Sequence, residues 1–550
     1  MKTIKQQTAY CRPDRAQYRI GEPIRLLLFP DAEVSKVSSV RVFRLQQEIT
    51  CNWTQESGII TIESLEIGNY GVAVKTDNGV FETAFDVAES AKSVIRYGFL
   101  SDFSPEDGDT ADLDWLCRLH VNTVQFYDWM YRHDSLISPE DEYLDPIGRR
   151  SSLPVIQQKI EACRSRGMRA FAYGAVYAAT KETALAHPDW ATYSLDGEPM
   201  IFADWLNYMN IAPSNGWREH IIREFRSVVE TLGFSGIHLD TYGFPKRVYA
   251  QNGERVLFED AFLPLINAAQ DAVYSVDAEN GVVFNAVNDW PTERIAQGNQ
   301  DAQYIEVWPP HDTYHDLYWL INKAKRLAPE KSVVLAAYMK PFQNAVEEAD
   351  VMKAEHAFRL ANAVILASGG IQLVHGEQES LLCDSYYVNH AKIRPEFTDT
   401  LVRYADFLVR YAQLLYDDNG YDVSMTAFGG INDDVIAEAE NTAFSADGRA
   451  DTVWMILRES KTRLVLHLIN LTGNDVLWNT PKSEPNPVQN IRLKLRLDAK
   501  ISGVYCASPD DNSLQAVELP YRTQSSAYGR VMELNLPTLH YFSTIWIEWE

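Results

Sequence analysis

At 550 residues the chain is too long for one hydrophobic core, so about two to four domains are expected. Its composition is that of a globular protein, and its net charge of −26 argues against nucleic-acid and anionic-membrane partners, which call for basic surfaces. A neutral substrate suits that charge, and the 28 tyrosines and 13 tryptophans hint at sugars, whose rings stack on aromatic faces. No run is apolar enough to span a membrane, and Met1–Thr8 has no apolar stretch after its lysines. A cytoplasmic protein is expected, or a secreted one if a leader was removed. Cys11, Cys51, Cys117, Cys163, Cys383 and Cys506 show no metal-ligand spacing; a Cys11–Cys51 bridge stays open.

Residues 1–92 read as an immunoglobulin-like β-sandwich. Short apolar or alternating runs (Ile24–Phe29, Val37–Leu45, Gly58–Ile62, Gly71–Val74, Val80–Phe85) recur between turn signals, and Asp77-Asn78-Gly79 marks a hairpin. From residue 93 the pattern becomes strand then helix, repeated to residue 417. The predicted strands are Tyr97–Phe103, Asn122–Trp129, Arg169–Tyr177, Gly236–Gly243, Val282–Asp289, Ala302–Trp308, Ser332–Met339 and Ile371–Glu377. Eight strands alternating with helices predict a central (β/α)8 TIM barrel with enlarged loops. An open doubly wound sheet usually carries a glycine-rich phosphate loop, and no G-x-G-x-x-G is present. Helix Pro395–Tyr416 closes this unit, and Asp417-Asp418-Asn419-Gly420 breaks it. Residues 418–550 return to short strands and read as a second β-sandwich.

Strand ends carry the chemistry in such a barrel. Here they present Asp128, Tyr173, Asp240, Asn288, Glu306 and Glu377. Two facing carboxylates are the minimal kit for glycosidic cleavage, one as nucleophile or base and the other as proton donor. Asp240 and Glu306 are the expected pair. Trp308 and Tyr304 would lower the polarity around Glu306 and raise its pKa, as an acid catalyst needs. Asp128 is assigned to substrate binding, and His238 to donating a hydrogen bond rather than acting as a base. His311 and His315 have metal-like spacing, but Pro309-Pro310 puts them in a loop, and no metal or cofactor is expected. His187-Pro188-Asp189-Trp190 reads as a structured loop.

Four stretches stand out: Gln125-Phe126-Tyr127-Asp128-Trp129-Met130-Tyr131-Arg132-His133-Asp134, Gly236-Ile237-His238-Leu239-Asp240-Thr241-Tyr242-Gly243, Phe284-Asn285-Ala286-Val287-Asn288 and Tyr304-Ile305-Glu306-Val307-Trp308-Pro309. They resemble motifs of glycoside hydrolase family 66, the dextranases and cycloisomaltooligosaccharide glucanotransferases. Tyr386-Tyr387-Val388-Asn389 resembles the family's barrel end, and Val374-His375-Gly376-Glu377 matches more loosely. The resemblance covers most of the chain and implies retaining endo-hydrolysis of α-1,6-glucosidic bonds in dextran or isomaltooligosaccharides. It assigns Asp240 as nucleophile and Glu306 as acid/base, with their carboxyl groups about 5–5.5 Å apart. Gln125, Tyr127, Asp128, Tyr173, His238, Tyr242, Asn285, Asn288, Trp308, Tyr338 and Glu377 are the expected substrate contacts. Glucanotransferases of the family carry an inserted binding module after strand seven. Here only Lys340–Ala349 occupies that place, which favours the hydrolase. Transglycosylation and a non-catalytic glycan-binding role are the alternatives.

Overall fold

The structure is a computed structural model that describes residues 9–29, 36–416, 420–429, 432–527 and 529–550. Asp417, Asp418 and Asn419 of the expected boundary lie outside the described residues. At its centre is a curled eleven-stranded sheet. Its parallel run comprises β1 (Tyr97–Leu100), β2 (Thr123–Phe126), β3 (Arg169–Ala175), β4 (Gly236–Asp240), β5 (Gly281–Val287), β6 (Ala302–Glu306) and β7 (Ser332–Ala336). The run paired with β7 is β8 (Ile371–Gln372), and β9 (His375–Gly376), four residues on, pairs with β1. One short stretch thus touches both ends of the parallel run. Two antiparallel strands extend the sheet beyond β9.

These strands are buried nearly throughout, as strands covered on both faces must be. The helices are α1 (Ala111–Arg118), α2 (Leu153–Ser165), α3 (Gly216–Leu232), α4 (Phe258–Tyr274), α5 (Tyr314–Leu327) and α6 (Glu348–Ala367) between the strands, and α7 (Pro395–Arg410) after the last of them. Helix α3 starts on Asn215, whose side chain accepts from the Trp217 N–H, and stops at Gly233 with φ +81°. That left-handed stop turns the chain into β4, and so sets where Asp240 lies. His311 and His315, metal-like in spacing only, lie at the start of α5. Thr313 and Asp316 form a capping box opening α5, and His315 packs by Trp454. No cluster of three metal-binding side chains exists among the described residues. Cys11 and Cys51 are both free thiols, so the bridge left open by the sequence is absent.

Before the central sheet, the described residues between 10 and 88 form a four-stranded and a five-stranded sheet around Ile24, Leu26, Val42, Ile60, Val72 and Val74. After it come a seven-stranded and a four-stranded sheet around Val453, Met455, Leu466, Leu493 and Ile545. The N-terminal sheets are tied to the helices by buried polar contacts. Asp406 on α7 accepts from Thr83 Oγ1 and the Ala84 N–H (3.0 Å each) and meets His120 Nε2 at 2.8 Å.

Candidate active site

A cavity of about 630 Å³ opens at the C-terminal ends of the parallel strands. Asp240 ends β4 and Glu306 ends β6, and β5 lies between them. Asn285 sits on β5 opposite Tyr304, two residues before Val287 pairs with Glu306. Its side-chain Nδ2 therefore reaches both neighbouring strands. It donates to Asp240 Oδ1 at 2.8 Å and to Glu306 Oε2 at 3.1 Å. One nitrogen touching both acids limits those two oxygens to at most about 6 Å apart.

Each acid has a second donor of its own. Tyr173 on β3 donates its hydroxyl to Asp240 Oδ2 at 2.7 Å. Tyr338, just beyond β7, donates to Glu306 Oε1 at 2.5 Å. Burial and the charge of Glu306 push the Asp240 carboxyl up to about 7, against the pull of Asn285, Tyr173 and the Thr241 N–H. Burial also raises Glu306, opposed chiefly by the Tyr338 hydroxyl. Two buried acids this close cannot both ionise freely, so the pair favours holding one proton near neutrality. One proton donor beside one carboxylate is the state that acid-assisted nucleophilic displacement requires.

His238 is held neutral, because burial lowers its pKa to about 3. Its Nδ1 meets the Tyr97 hydroxyl at 2.9 Å, and its ring stacks on Tyr173 and meets Tyr304 edge-on.

Of the expected site residues, Gln125, Tyr127, Tyr173, His238, Asp240, Tyr242, Asn285, Asn288, Glu306, Trp308 and Tyr338 all line this cavity. Asn288 has φ +53° and donates its amide to the Pro309 carbonyl. Asp128 (φ +49°) lies behind the lining, buried near Arg149 and Asp145, with its pKa raised to about 7 by burial. Glu377 departs from the expectation. It is wholly buried and accepts from the Ser101 N–H and hydroxyl and the Asp102 N–H. Those donors follow β1, so Glu377 clasps β9 to β1 instead of facing the cavity. The expected set left out Phe202, Phe244, Lys246, Trp290 and Tyr387, which also line the cavity. Tyr387 carried a usable signal, because it lies in the Tyr386-Tyr387-Val388-Asn389 stretch. Phe202 comes from the long excursion after β3 and stacks on Tyr242 at 4.6 Å, a contact without a sequence period to reveal it.

The family model described as Glycosyl hydrolase family 66 matches residues 13–546. A cycloisomaltooligosaccharide glucanotransferase of Niallia circulans is 24% identical, covering 91% of this chain and 66% of its own length. A Streptococcus salivarius dextranase is 22% identical, covering 82% of this chain and 63% of its own. The chain thus spans somewhat under two thirds of the length of these curated relatives. The fold is similar to that of a Paenibacillus sp. cycloisomaltooligosaccharide glucanotransferase solved with cycloisomaltoheptaose. In that comparison the TM-score is 0.87 at 22% identity, over 98% of this chain and 99% of the other.

Proposed function

This chain belongs to glycosyl hydrolase family 66, and on that premise we propose that it cleaves α-1,6-glucosidic bonds of dextran or isomaltooligosaccharides with retention of configuration. The carrying observation is the Asn285 amide nitrogen shared by Asp240 and Glu306. Their oxygens are too close for the roughly 6.5–9.5 Å gap that admits a water in inverting enzymes. We read the curled sheet as an eight-stranded α/β barrel whose interrupted last strand is β8 with β9, flanked by two β-sandwiches.

In this mechanism Asp240, ionised, attacks the anomeric carbon. The electron pair of the breaking C–O bond passes to the leaving oxygen, which takes the Glu306 proton. Glu306, now the carboxylate, removes a proton from an incoming hydroxyl. That hydroxyl's oxygen then attacks the anomeric carbon, and the bond to Asp240 breaks. Asn285 holds both acids in register and relieves their repulsion in each step. His238, being neutral, serves as a hydrogen-bonding wall group. Aromatic faces at Tyr127, Tyr242, Trp308 and Trp290 offer stacking surfaces for glucose rings.

Water as acceptor gives an endo-dextranase, and the short connection between β7 and α6, residues 337–347, supports that reading. A sugar hydroxyl as acceptor gives a glucanotransferase. The second reading has its own support, since two relatives bearing that name are 24% and 25% identical, against 22% for the dextranase. Mass-spectrometric product analysis on dextran separates them. Linear isomaltooligosaccharides are expected from the parent, and a β-glucosyl azide from Asp240→Gly supplied with azide and an activated substrate. Cyclic or elongated products would move the assignment to transfer. Failure to cleave any α-1,6-glucan would overturn it.

A further inference from the structure

A second cavity, of about 580 Å³, opens at one end of the C-terminal sheets and shares no lining residue with the active cavity. Strands Thr452–Glu459 and Arg463–Asn470 meet there in a hairpin, and Phe542–Trp549 ends beside them. The facing sheet contributes Val435–Glu438 and Arg492–Arg496, with Val435 opposite Leu495. Val435, Leu464 and Leu495 belong to the core between the sheets, so the floor of the cavity is apolar. Trp549 is half-buried at its edge and fixed to the hairpin turn at two points. Its backbone N–H donates to the Thr462 carbonyl at 3.1 Å, and its Nε1 to the Lys461 carbonyl at 2.8 Å.

Five charged side chains stand around that floor: Asp434, Glu459, Lys461, Arg496 and Asp498. The side chains of Asp434, Glu459 and Lys461 make no hydrogen bond or ion pair among the described residues, and Arg496 reaches Asp498 only at 3.8 Å. The backbone that carries them is held, since the Arg496 N–H donates to the Asp434 carbonyl at 2.8 Å. Three acids against two bases leave the wall close to neutral, so a strongly charged ligand of either sign would meet its like. A sugar suits it better. Its hydroxyls donate to the carboxylates and accept from the ammonium and guanidinium groups. Its C–H face packs on an aromatic ring and an apolar floor. The active cavity combines the same elements, with Trp290 and Trp308, the two acids and Lys246 in its lining.

We propose that this cavity is a second, non-catalytic glucan-binding site, which holds a stretch of an α-1,6-glucan chain away from the two acids. The choice of glucan rests on the proposed function. A long chain held here has its other units delivered to the active cavity at a raised effective concentration. A short oligosaccharide that fills one cavity gains nothing from the other. The site therefore favours polymer over short substrates without touching the chemistry.

The test measures migration of the full-length chain in native gels containing dextran, in a Glu306→Gln background so that the polymer is not consumed. Adding Trp549→Ala should raise the apparent Kd for dextran about tenfold. Adding Asp434→Ala with Lys461→Ala, both exposed and free of partners that the fold needs, should raise it about fivefold. With Glu306 restored, the same substitutions should raise KM on polymeric dextran about threefold to tenfold and leave kcat/KM on isomaltotriose within about twofold. Migration that dextran does not retard, or that the substitutions leave unchanged, would overturn the site. An equal loss on isomaltotriose would place the effect in the fold or the active cavity and overturn it too. Retardation that depends on these residues, in a chain that cleaves no α-1,6-glucan, would overturn the catalytic reading and leave the second site standing.

Discussion

Asp240→Asn should stabilise the protein, and the gain should grow with pH. In the folded chain, burial and Glu306 push the Asp240 carboxyl from 3.8 to about 7. The fold therefore prefers the protonated acid. Below the ordinary carboxylate range this costs nothing. As the pH rises from there toward 7, the unfolded chain ionises while the folded chain resists, and stability is lost. Above 7 both states are ionised and the loss levels off at about 4 kcal/mol, at roughly 1.4 kcal/mol per pH unit. Between pH 5 and pH 8 the difference amounts to about 2–3 kcal/mol. An asparagine carries none of it. Its amide hydrogens meet the Tyr173 or Asn285 donors badly, at about 1–3 kcal/mol, but that mismatch is the same at both pH values. The variant-minus-parent stability difference should therefore rise by about 2–3 kcal/mol from pH 5 to pH 8, read as a melting-temperature gain of a few degrees by scanning calorimetry. A difference that is flat or falls with pH would refute the burial-and-repulsion account of this pair.

Other outcomes follow from the same contacts. Asn285→Ala leaves the two acids without their shared donor, so kcat/KM should fall about 10²–10³-fold and the acidic limb of its pH profile should move up by about one unit. An unchanged limb would show that the bridge has no electrostatic role. Tyr173→Phe removes one donor from Asp240 and should raise the same limb by about half a unit, with about a tenfold loss of kcat/KM. Glu377→Ala strands the Ser101 and Asp102 donors and should cost about 2–4 kcal/mol by denaturant unfolding, while kcat of the folded protein at low temperature stays within about twofold. A selective rise in KM would instead put Glu377 back among the substrate contacts. A Cβ on Gly236 would lie 2.2 Å from the Gly281 carbonyl and 2.7 Å from the Phe171 ring, so Gly236→Ala should part β4 from β5 and abolish activity.

Strand ends and helix stops were readable from the chain because each has a local cause. Gly233 ends α3 by its left-handed φ, and the alternation of β4 puts His238 and Asp240 on one face. Azimuth around the sheet was not readable. Asn285 and Tyr338 were expected to touch substrate, yet their observed partners are the two acids. That distinction depends on the relative stagger of β4 to β7, which no single strand's pattern records. Glu377 looked like a mouth acid because it follows a strand. The short β9 turns it toward β1, where the Ser101 and Asp102 donors take up its oxygens. Tyr387 lies in a segment without strand or helix period, so its only signal was the resemblance of Tyr386-Tyr387-Val388-Asn389 to the family's barrel end.

The most direct test of the central claim is the anomeric form of the first product. Proton NMR of isomaltooligosaccharide hydrolysis, recorded before mutarotation equilibrates the ends, should show the α-anomer accumulating first and the β-anomer following. The β-anomer appearing first would mean inversion. Asp240 and Glu306 would then have to stand far enough apart to hold a water between them, contradicting the amide that joins them.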